Sequence, residues 1–293
     1  MDVSIIIVNY NTSKLLDDCI SSLIGNTTKV IFEIIVVDNA STDDSVALMK
    51  LKYPSINLIE SKVNLGFGKG NNLGASIANG KYLFLLNTDT LMVNNAVKIL
   101  FNFMERRTSQ EIGACGANLF NLDLTPNFSY SLNYPSLKNI ISYRLGLTFF
   151  GEKDNFNSSK TIKEVAIIIG ADFFVRKKVF DLLGGFDPSF FMYVEDGDLC
   201  YRINKLNYKL VSVPEAEIIH LQGKSSSNFF KLKMEYSGYL IFFKKHNSFL
   251  TLKFYSFIEI SFAILRLIWF TIVLKKNKVR DYFKLISFML NSK

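Results

Sequence analysis

Hydrophobic and polar positions alternate in two rhythms along the first 120 residues. The short runs VSIIIVNY (3–10) and FEIIVV (32–37) are β-branched or apolar and end at polar groups, as strands buried on both faces of a parallel sheet do. Between them, TSKLLDDCISSLIGN (12–26) sets Leu15, Leu16, Cys19, Ile20, Leu23 and Ile24 on one helical face, with Thr12 or Ser13 at the cap. That is a β-α-β unit. In ASTDDSVALMK (40–50), Ser41 and Asp44 have the spacing of a capping box and predict a second helix. The alternation continues with a strand near INLIE (56–60), a helix over GKGNNLGASIANG (68–80) and the strand KYLFLL (81–86). A helix over NAVKILFNFMERR (95–107) and a strand near IGACGA (112–117) follow.

From Asn121 to about Lys163 the pattern dissolves into Asn, Ser, Phe, Tyr and Pro. Within it, LKNIISYRLGLTFF (137–150) reads equally as variable loop or packed helix. Regular patterning resumes with EVAIIIG (164–170), the helix-like RKKVFDLLGG (176–185), EDGDLCYRINKLN (195–207) and the strand YKLVSVP (208–214). The expectation is an α/β domain over 1–227, its mostly parallel Rossmann-like sheet flanked by helices, followed by a helical tail over 228–293.

Composition narrows the classes. At 293 residues and 49% hydrophobic, the chain can bury a large core, and disorder is excluded. Positions 244–293 hold ten basic residues against Glu259 and Asp281, which accounts for the whole net charge of +8. The rest of the chain is balanced, so a nucleic-acid footprint over the main domain is not expected. Cys19, Cys115 and Cys200 have no metal-ligand spacing and cannot all pair, which speaks against a zinc site or disulfide framework and fits a reducing compartment. MDVSIIIVNYN carries an acid where a signal peptide carries positive charge, and its apolar run is short, so a cytoplasmic location is expected.

Ligands of open parallel sheets bind beyond the carboxyl ends of the strands. Three strands end there in polar groups: VNYN (8–11), DNAS (38–41) and NTD (87–89). One such Asp is usually a turn residue or a cap; three in one series point to a ligand site. A dinucleotide fingerprint fails on placement, since Gly68, Gly70 and Gly74 lie outside the first strand-to-helix turn. The GKS at 223–225 lacks the earlier glycine of a phosphate loop, position 218 being Ile. Asp89 is then read as an oxygen ligand for Mg2+ or Mn2+, with Asn87 beside it and a helix-cap role as the plainer alternative. The second cluster, FFMYVEDGDLCYR (190–202), holds Glu195, Asp196 and Asp198. Acids favour a helix's first turn, but the aromatic approach from Phe190 to Tyr193 also sets them beside a dry surface that suits a general base. His220, one of two histidines, is either a structural residue or a metal ligand.

In order, SIIIVNYN, IIVVDNASTDDS, NLGFGKGNNLG, FLLNTDT, the run from Gly170 to Tyr208 and HLQGKSS resemble family 2 glycosyltransferases of the GT-A fold. They are most similar to bacterial rhamnosyltransferase-type members that build O-antigen, capsule or cell-wall linkers. The resemblance implies a nucleotide-sugar donor, dTDP-rhamnose or a UDP-hexose, whose nucleoside is held by Asn9, Asn11 and Asp38. Asn64, Gly66, Gly70 and Asn72 would line the same pocket. Asp89 matches the last acid of the family's metal motif, with Asn87 where many relatives have a first Asp. Asp196 matches the catalytic base of an inverting single displacement, tuned by Glu195. His220 and Lys224 match the metal and diphosphate side, with Gln222 where a second glycine is common. A rival class is a degenerate nucleotide-sugar-binding regulatory or scaffold protein. Another is a nucleotidyltransferase, which would carry a glycine-rich basic loop where NYNTSK stands.

The tail contains FYSFIEISFAILRLIWFTIVL (254–274), 21 residues and long enough to span a bilayer. Glu259 and Arg266 share one helical face, and a charge at the bilayer centre costs about 2.5–3.5 kcal/mol. The expectation is a helix on or partly in the cytoplasmic membrane face, drawn by anionic lipid, serving a lipid-linked or glycan acceptor. The alternative is a helix packed on the core or in a dimer interface.

Overall fold

A computed structural model describes residues 1–146, 155–221 and 228–291. In chain order the elements are β1 (Val3–Asn9), α1 (Ser13–Asn26), β2 (Phe32–Asp38), α2 (Ser45–Lys52), β3 (Asn57–Glu60), α3 (Phe67–Ala75), β4 (Tyr82–Asn87), β5 (Thr90–Met92), α4 (Ala96–Glu105) and β6 (Ile112–Phe120). Then come β7 (Tyr130–Ser131), α5 (Leu137–Arg144), β8 (Lys163–Val165), β9 (Ile167–Ile168), β10 (Asp172–Arg176), α6 (Lys177–Leu182), α7 (Glu195–Lys205) and β11 (Lys209–His220). Three helices follow: α8 (Asn228–His246), α9 (Phe249–Ile272) and α10 (Lys276–Asn291). Two contact units divide the chain. One is Met1–Tyr134, Glu152–Pro188 and Glu195–Gly223; the other is Pro135–Gly151, Ser189–Val194 and Lys224–Lys293.

In the first unit the described strands form a sheet ordered β3-β2-β1-β4-β10-β6-β11-β5, with β8 also on β11. Pairing is parallel for β2-β3, β1-β2, β1-β4 and β6-β11. This is the mostly parallel sheet that the hydrophobic runs predict. The departures are β10, which runs antiparallel between β4 and β6, and β5 and β8, which pair antiparallel with β11, because an apolar run reports burial on both faces but not direction. Alternate residues feed two cores. Val3, Ile5 and Ile7 join α1 and α4 on one face, while Ile6 faces α3, and α6 and α7 share its core. Period-two side chains on β1 thus explain why a helix layer is needed on each side.

Local boundaries differ from the sequence pattern where side chains have other work. The capping box from Ser41 to Asp44 does not form: α2 starts at Ser45, and Asp43 accepts from the amides of Ser45 and Ser13 at 3.1 and 3.0 Å. Helix α3 stops at Ala75 instead of Gly80. EVAIIIG divides into β8, which joins β11, and β9, which pairs with β7. YKLVSVP continues to His220 past Pro214, with an irregular register between Val213 and Glu217 that absorbs the proline. His220 therefore ends a strand instead of following one. LKNIISYRLGLTFF forms α5 over its first eight residues, and 147–150 lie outside the described residues.

The second unit packs α5, α8, α9 and α10 around Ile140, Tyr236, Phe243, Tyr255, Ala263 and Leu285. Glu259, buried in α9, accepts two bonds from Arg144 of α5 at 2.9 and 2.8 Å. Arg266 instead donates to the Tyr282 hydroxyl at 2.9 Å.

One core acid has no sequence signal. Asp172, wholly buried in β10, accepts from the Ala117 amide, and its Oδ1 has no partner among the described residues. Burial holds its pKa well above the ordinary carboxylate range. The folded state therefore keeps a proton that the unfolded chain releases above its own pKa of about 3.9, so stability falls as pH rises from there toward the raised folded value. Asp172→Asn removes that dependence. Denaturant unfolding at several pH values should show a stability gain that grows by about 1.4 kcal/mol per pH unit across that window.

Candidate active site

Parallel register sets the site. Asn9 stands beside Asp38, and Val8 beside Asn87, so β1, β2 and β4 end in one row of polar residues. Asn9 is fully buried, and its amide donates to Asp38 Oδ1 at 3.0 Å and to the Ser41 hydroxyl at 3.1 Å. The other Asp38 oxygen accepts from the Ser41 amide at 3.0 Å. The Thr12 hydroxyl donates to Asn9 Oδ1 at 2.7 Å and meets the Thr88 hydroxyl at 3.1 Å. One hydrogen-bonded chain thus runs from Asp38 through Asn9 and Thr12 to Thr88, the residue before Asp89. Two loops turn toward each other across it. Asn11 and Ala40 both adopt positive φ, and Asn11 Oδ1 accepts from the Thr42 amide at 2.7 Å. Asn9 is therefore a positioning residue for Asp38, and the exposed Asn11 pins the neighbouring loop.

The segment before α3 is held by a residue that motif spacing alone did not single out. Asn39, 2% exposed, donates to Asn64 Oδ1 and to the Gly66 carbonyl at 3.0 and 3.1 Å, and accepts from the Leu65 amide at 2.8 Å. Asn64 also accepts from the Gly66 amide, and Gly66 has φ of 80°, a conformation that favours glycine. Gly70 and Asn72, expected in the donor pocket, also make packing contacts. A Cβ on Gly70 would lie 2.8 Å from Val8 Cγ1, so this glycine lets α3 sit close on β1. Both ends of the Asn72 amide are taken by the Phe186 backbone, at 2.7 and 2.8 Å.

Asp89 lies in the turn between β4 and β5, not at a helix cap. Antiparallel pairing of Thr90 with His220 brings His220 Nε2 to 3.4 Å from Asp89 Oδ1, both side chains being 14% exposed. The Asp89 carbonyl accepts from the Leu221 amide, and Asn127 donates to the His220 carbonyl, which fixes both backbones. His220 Nδ1 is buried without a hydrogen-bond partner among the described residues, while the Nε2 edge of the ring faces Asp89. One oxygen and one nitrogen donor converge here. That set suits a divalent cation with positions left for substrate oxygens, and no cluster of three or more His, Cys, Asp or Glu occurs among the described residues. Lys224 lies outside the described residues.

The acidic cluster separates into three roles. Asp198 is fully buried and paired with Arg202 at 2.7 Å, and Arg202 also donates to the Leu183 and Gly185 carbonyls. Glu195 is buried at the first position of α7. Asp196 accepts from the amides of Gly170 and Gly197 at 3.0 and 2.7 Å. Burial pushes its pKa up, against those two amides, in the direction a general base requires. Gly170 was not foreseen. A Cβ there would touch the Phe67 ring at 3.1 Å. The next residue, Ala171, accepts from the Asn87 amide at 3.0 Å, so one short backbone strip ties Asp196 to the end of β4.

The model of "Glycosyl transferase family 2" matches residues 4–181. The chain belongs to that family. This family 2 glycosyltransferase is 28% identical over 78% of its length to the rhamnosyltransferase WbbL of Escherichia coli K12, covering 86% of that protein. It is 26% identical over 76% of its length to the N-acetylglucosaminyl-diphospho-decaprenol L-rhamnosyltransferase of Mycobacterium tuberculosis, covering 76% of it. Among solved structures, GalNAc-T7 with UDP, GalNAc and Mn2+ superposes with a TM-score of 0.60 at 18% identity, over 82% of this chain and 47% of that one. Staphylococcus aureus TarS 1-349 gives 0.53 at 15% identity, over 83% and 72%. Both share the fold of this glycosyltransferase.

The turn into α7 carries strain. Tyr193 and Val194 both sit at positive φ, 68° and 70°, which is costly for bulky residues. Gly238 of α8 makes room for them: a Cβ there would lie 2.7 Å from the Tyr193 carbonyl oxygen and 2.9 Å from Val194 Cγ2. Gly238→Ala should shift the turn two residues before Asp196. Steady-state kinetics are expected to show kcat lowered about ten- to a hundredfold with donor KM unchanged. A variant that only melts earlier, with full kcat in its folded fraction, would assign Gly238 to stability alone.

Proposed function

We propose that this family 2 glycosyltransferase transfers a sugar, with inversion, from a nucleotide-sugar to an acceptor hydroxyl during assembly of a bacterial surface polysaccharide. The observation that carries the reading is the backbone strip from Asn87 to Ala171, Gly170 and Asp196. It places a carboxylate with a raised pKa in fixed relation to the polar ends of β1, β2 and β4. Residues 1–227 form the catalytic part in this reading and 228–293 the tail.

In the proposed mechanism Asp38, held by Asn9 and Ser41, accepts hydrogen bonds from the base or ribose of the donor. The loop over Asn64 to Gly66, locked by Asn39, borders the same nucleotide. Asp89 and His220 would hold a divalent cation, Mg2+ or Mn2+, which when bound supplies positive charge beside the donor diphosphate. Asp196 takes the acceptor hydroxyl proton. The acceptor oxygen then forms its bond to the anomeric carbon from the face opposite the diphosphate, the bond from that carbon to the diphosphate oxygen breaks, and nucleoside diphosphate departs. Two amide donors aim the Asp196 carboxylate while leaving lone pairs for that proton, and Glu195 orients the start of α7. The named relatives make dTDP-rhamnose the first donor to test, with UDP-hexoses second, and a lipid-linked diphosphate sugar the first acceptor.

Asp196→Asn keeps one of the two amide contacts, its Nδ2 being unable to accept the other, and loses the base. Product release in the presence of donor and acceptor should fall about 10²- to 10⁴-fold with donor affinity retained. In the parent enzyme, the acid limb of the kcat/KM profile is expected above the ordinary carboxylate range, following the raised pKa of Asp196. Turnover at the parent rate in Asp196→Asn would move the base elsewhere, and a limb at the ordinary carboxylate pKa would contradict the dry environment assigned to it.

A further inference from the structure

Helix α9 has two unlike faces. The inner one is filled: Tyr255, Glu259 and Ala263, spaced four residues apart, are buried against the core of the second unit, with Glu259 locked to Arg144. The outer one carries Leu250, Phe254, Phe257, Leu265, Ile268 and Ile272, all exposed, on a single stripe stepped by three or four residues except across Ser261, whose hydroxyl is tied to the Phe257 carbonyl. No charged residue interrupts that stripe. It runs nearly the whole helix, about 36 Å at 1.5 Å per residue. Where α9 ends, Leu274, Val279 and Phe283 line an open groove together with Lys276 and Arg280.

A soluble face does not leave so long an apolar stripe uncovered, and the surrounding charge says what covers it. Lys244, Lys245 and Lys253 lie at its start, Lys275, Lys276, Lys278 and Arg280 just past its end, and this region carries the whole net charge of the protein. An apolar strip between basic ends is complementary to a bilayer with anionic headgroups. A second copy of this chain would bring the same positive ends together. Crossing the bilayer is opposed by the inner face. It would carry the Arg144 and Glu259 pair, Arg266 and the Tyr282 hydroxyl into hydrocarbon, and α5, which supplies Arg144, is flanked in sequence on both sides by segments of the first unit.

We propose that the outer stripe of α9 lies in the plane of an anionic lipid surface, with Lys276 and Arg280 seated on headgroup phosphates at the α9 to α10 turn. The inference is independent of the transfer chemistry, so either can fail alone. Trp269, the single tryptophan and 58% exposed beside the stripe, is a built-in reporter. Purified full-length protein is titrated with phosphatidylcholine vesicles with and without phosphatidylglycerol. Trp269 emission should shift to the blue and be quenched by brominated acyl chains only with the anionic vesicles. High salt should weaken binding, and alkaline carbonate should release it. Lys276→Glu with Arg280→Glu should weaken partitioning by at least about fivefold per cation, and Phe257→Ser with Ile268→Ser should abolish the quenching. Both pairs alter exposed positions, and an unchanged circular dichroism melt checks that they fold. The proposal is overturned by an unshifted Trp269 with anionic vesicles, by equal binding to neutral vesicles, or by protein that resists carbonate. A lipid-insensitive dimer dispersed by Phe257→Ser with Ile268→Ser would overturn it in favour of a second copy.

Discussion

The hydrogen bond from Asn9 to Asp38 is the constraint on which the site depends. It lies inside the protein at the ends of two parallel strands, where an unmatched carboxylate would cost at least about 1–3 kcal/mol against a total stability of about 5–15 kcal/mol. Satisfying it commits Asn9 to one rotamer, whose Oδ1 accepts from the Thr12 hydroxyl and so brings Thr88 into line. The β4 turn that carries Asp89 is thereby registered to the β2 end that carries Asp38. Asp196 reaches the same edge from another direction, through the Gly170 amide and the Ala171 contact with Asn87. Strand register thus sets the ends of β2 and β4 on one sheet edge, and the backbone of Gly170 and Ala171 ties Asp196 of α7 to it.

Much of this was legible in the residues. Apolar runs ending in Asn9, Asp38 and Asn87 announced buried parallel strands with polar mouths, and the structure has them at those positions. The helical stripe over α1 and the acidic start of α7 were equally plain. What periodicity lacks is direction and depth. It did not show that β10 is antiparallel, that β11 runs on through Pro214 to His220, or that Asp172 is a core acid. Nor could spacing rank polar residues within a motif. Asn39 and Ser41 sit in the same DNAS as Asp38, and spacing does not tell that their side chains organise the loops or that Asn72 and Gly70 also make packing contacts.

The tail illustrates a different limit. Composition placed Glu259 and Arg266 on one helical face and left their relation open. The partner of Glu259 proved to be Arg144, in the stretch between β7 and β8 that read equally as loop or packed helix. That pair is bidentate and nearly buried, so it specifies which face of α9 turns inward more than it adds to stability. The consequence is an outward face free of charge, and the basic residues are displaced to its ends.

The central claim is that Asp38 and Asp89 belong to one donor site. Isothermal titration of dTDP-rhamnose, UDP-glucose, UDP-galactose and UDP-N-acetylglucosamine, each with and without Mg2+ or Mn2+, tests it most directly when the parent protein is run beside Asp89→Ala. The account predicts that one donor binds in a cation-dependent way and that Asp89→Ala abolishes the cation dependence. Binding of a donor that is indifferent to both the cation and Asp89 would contradict it.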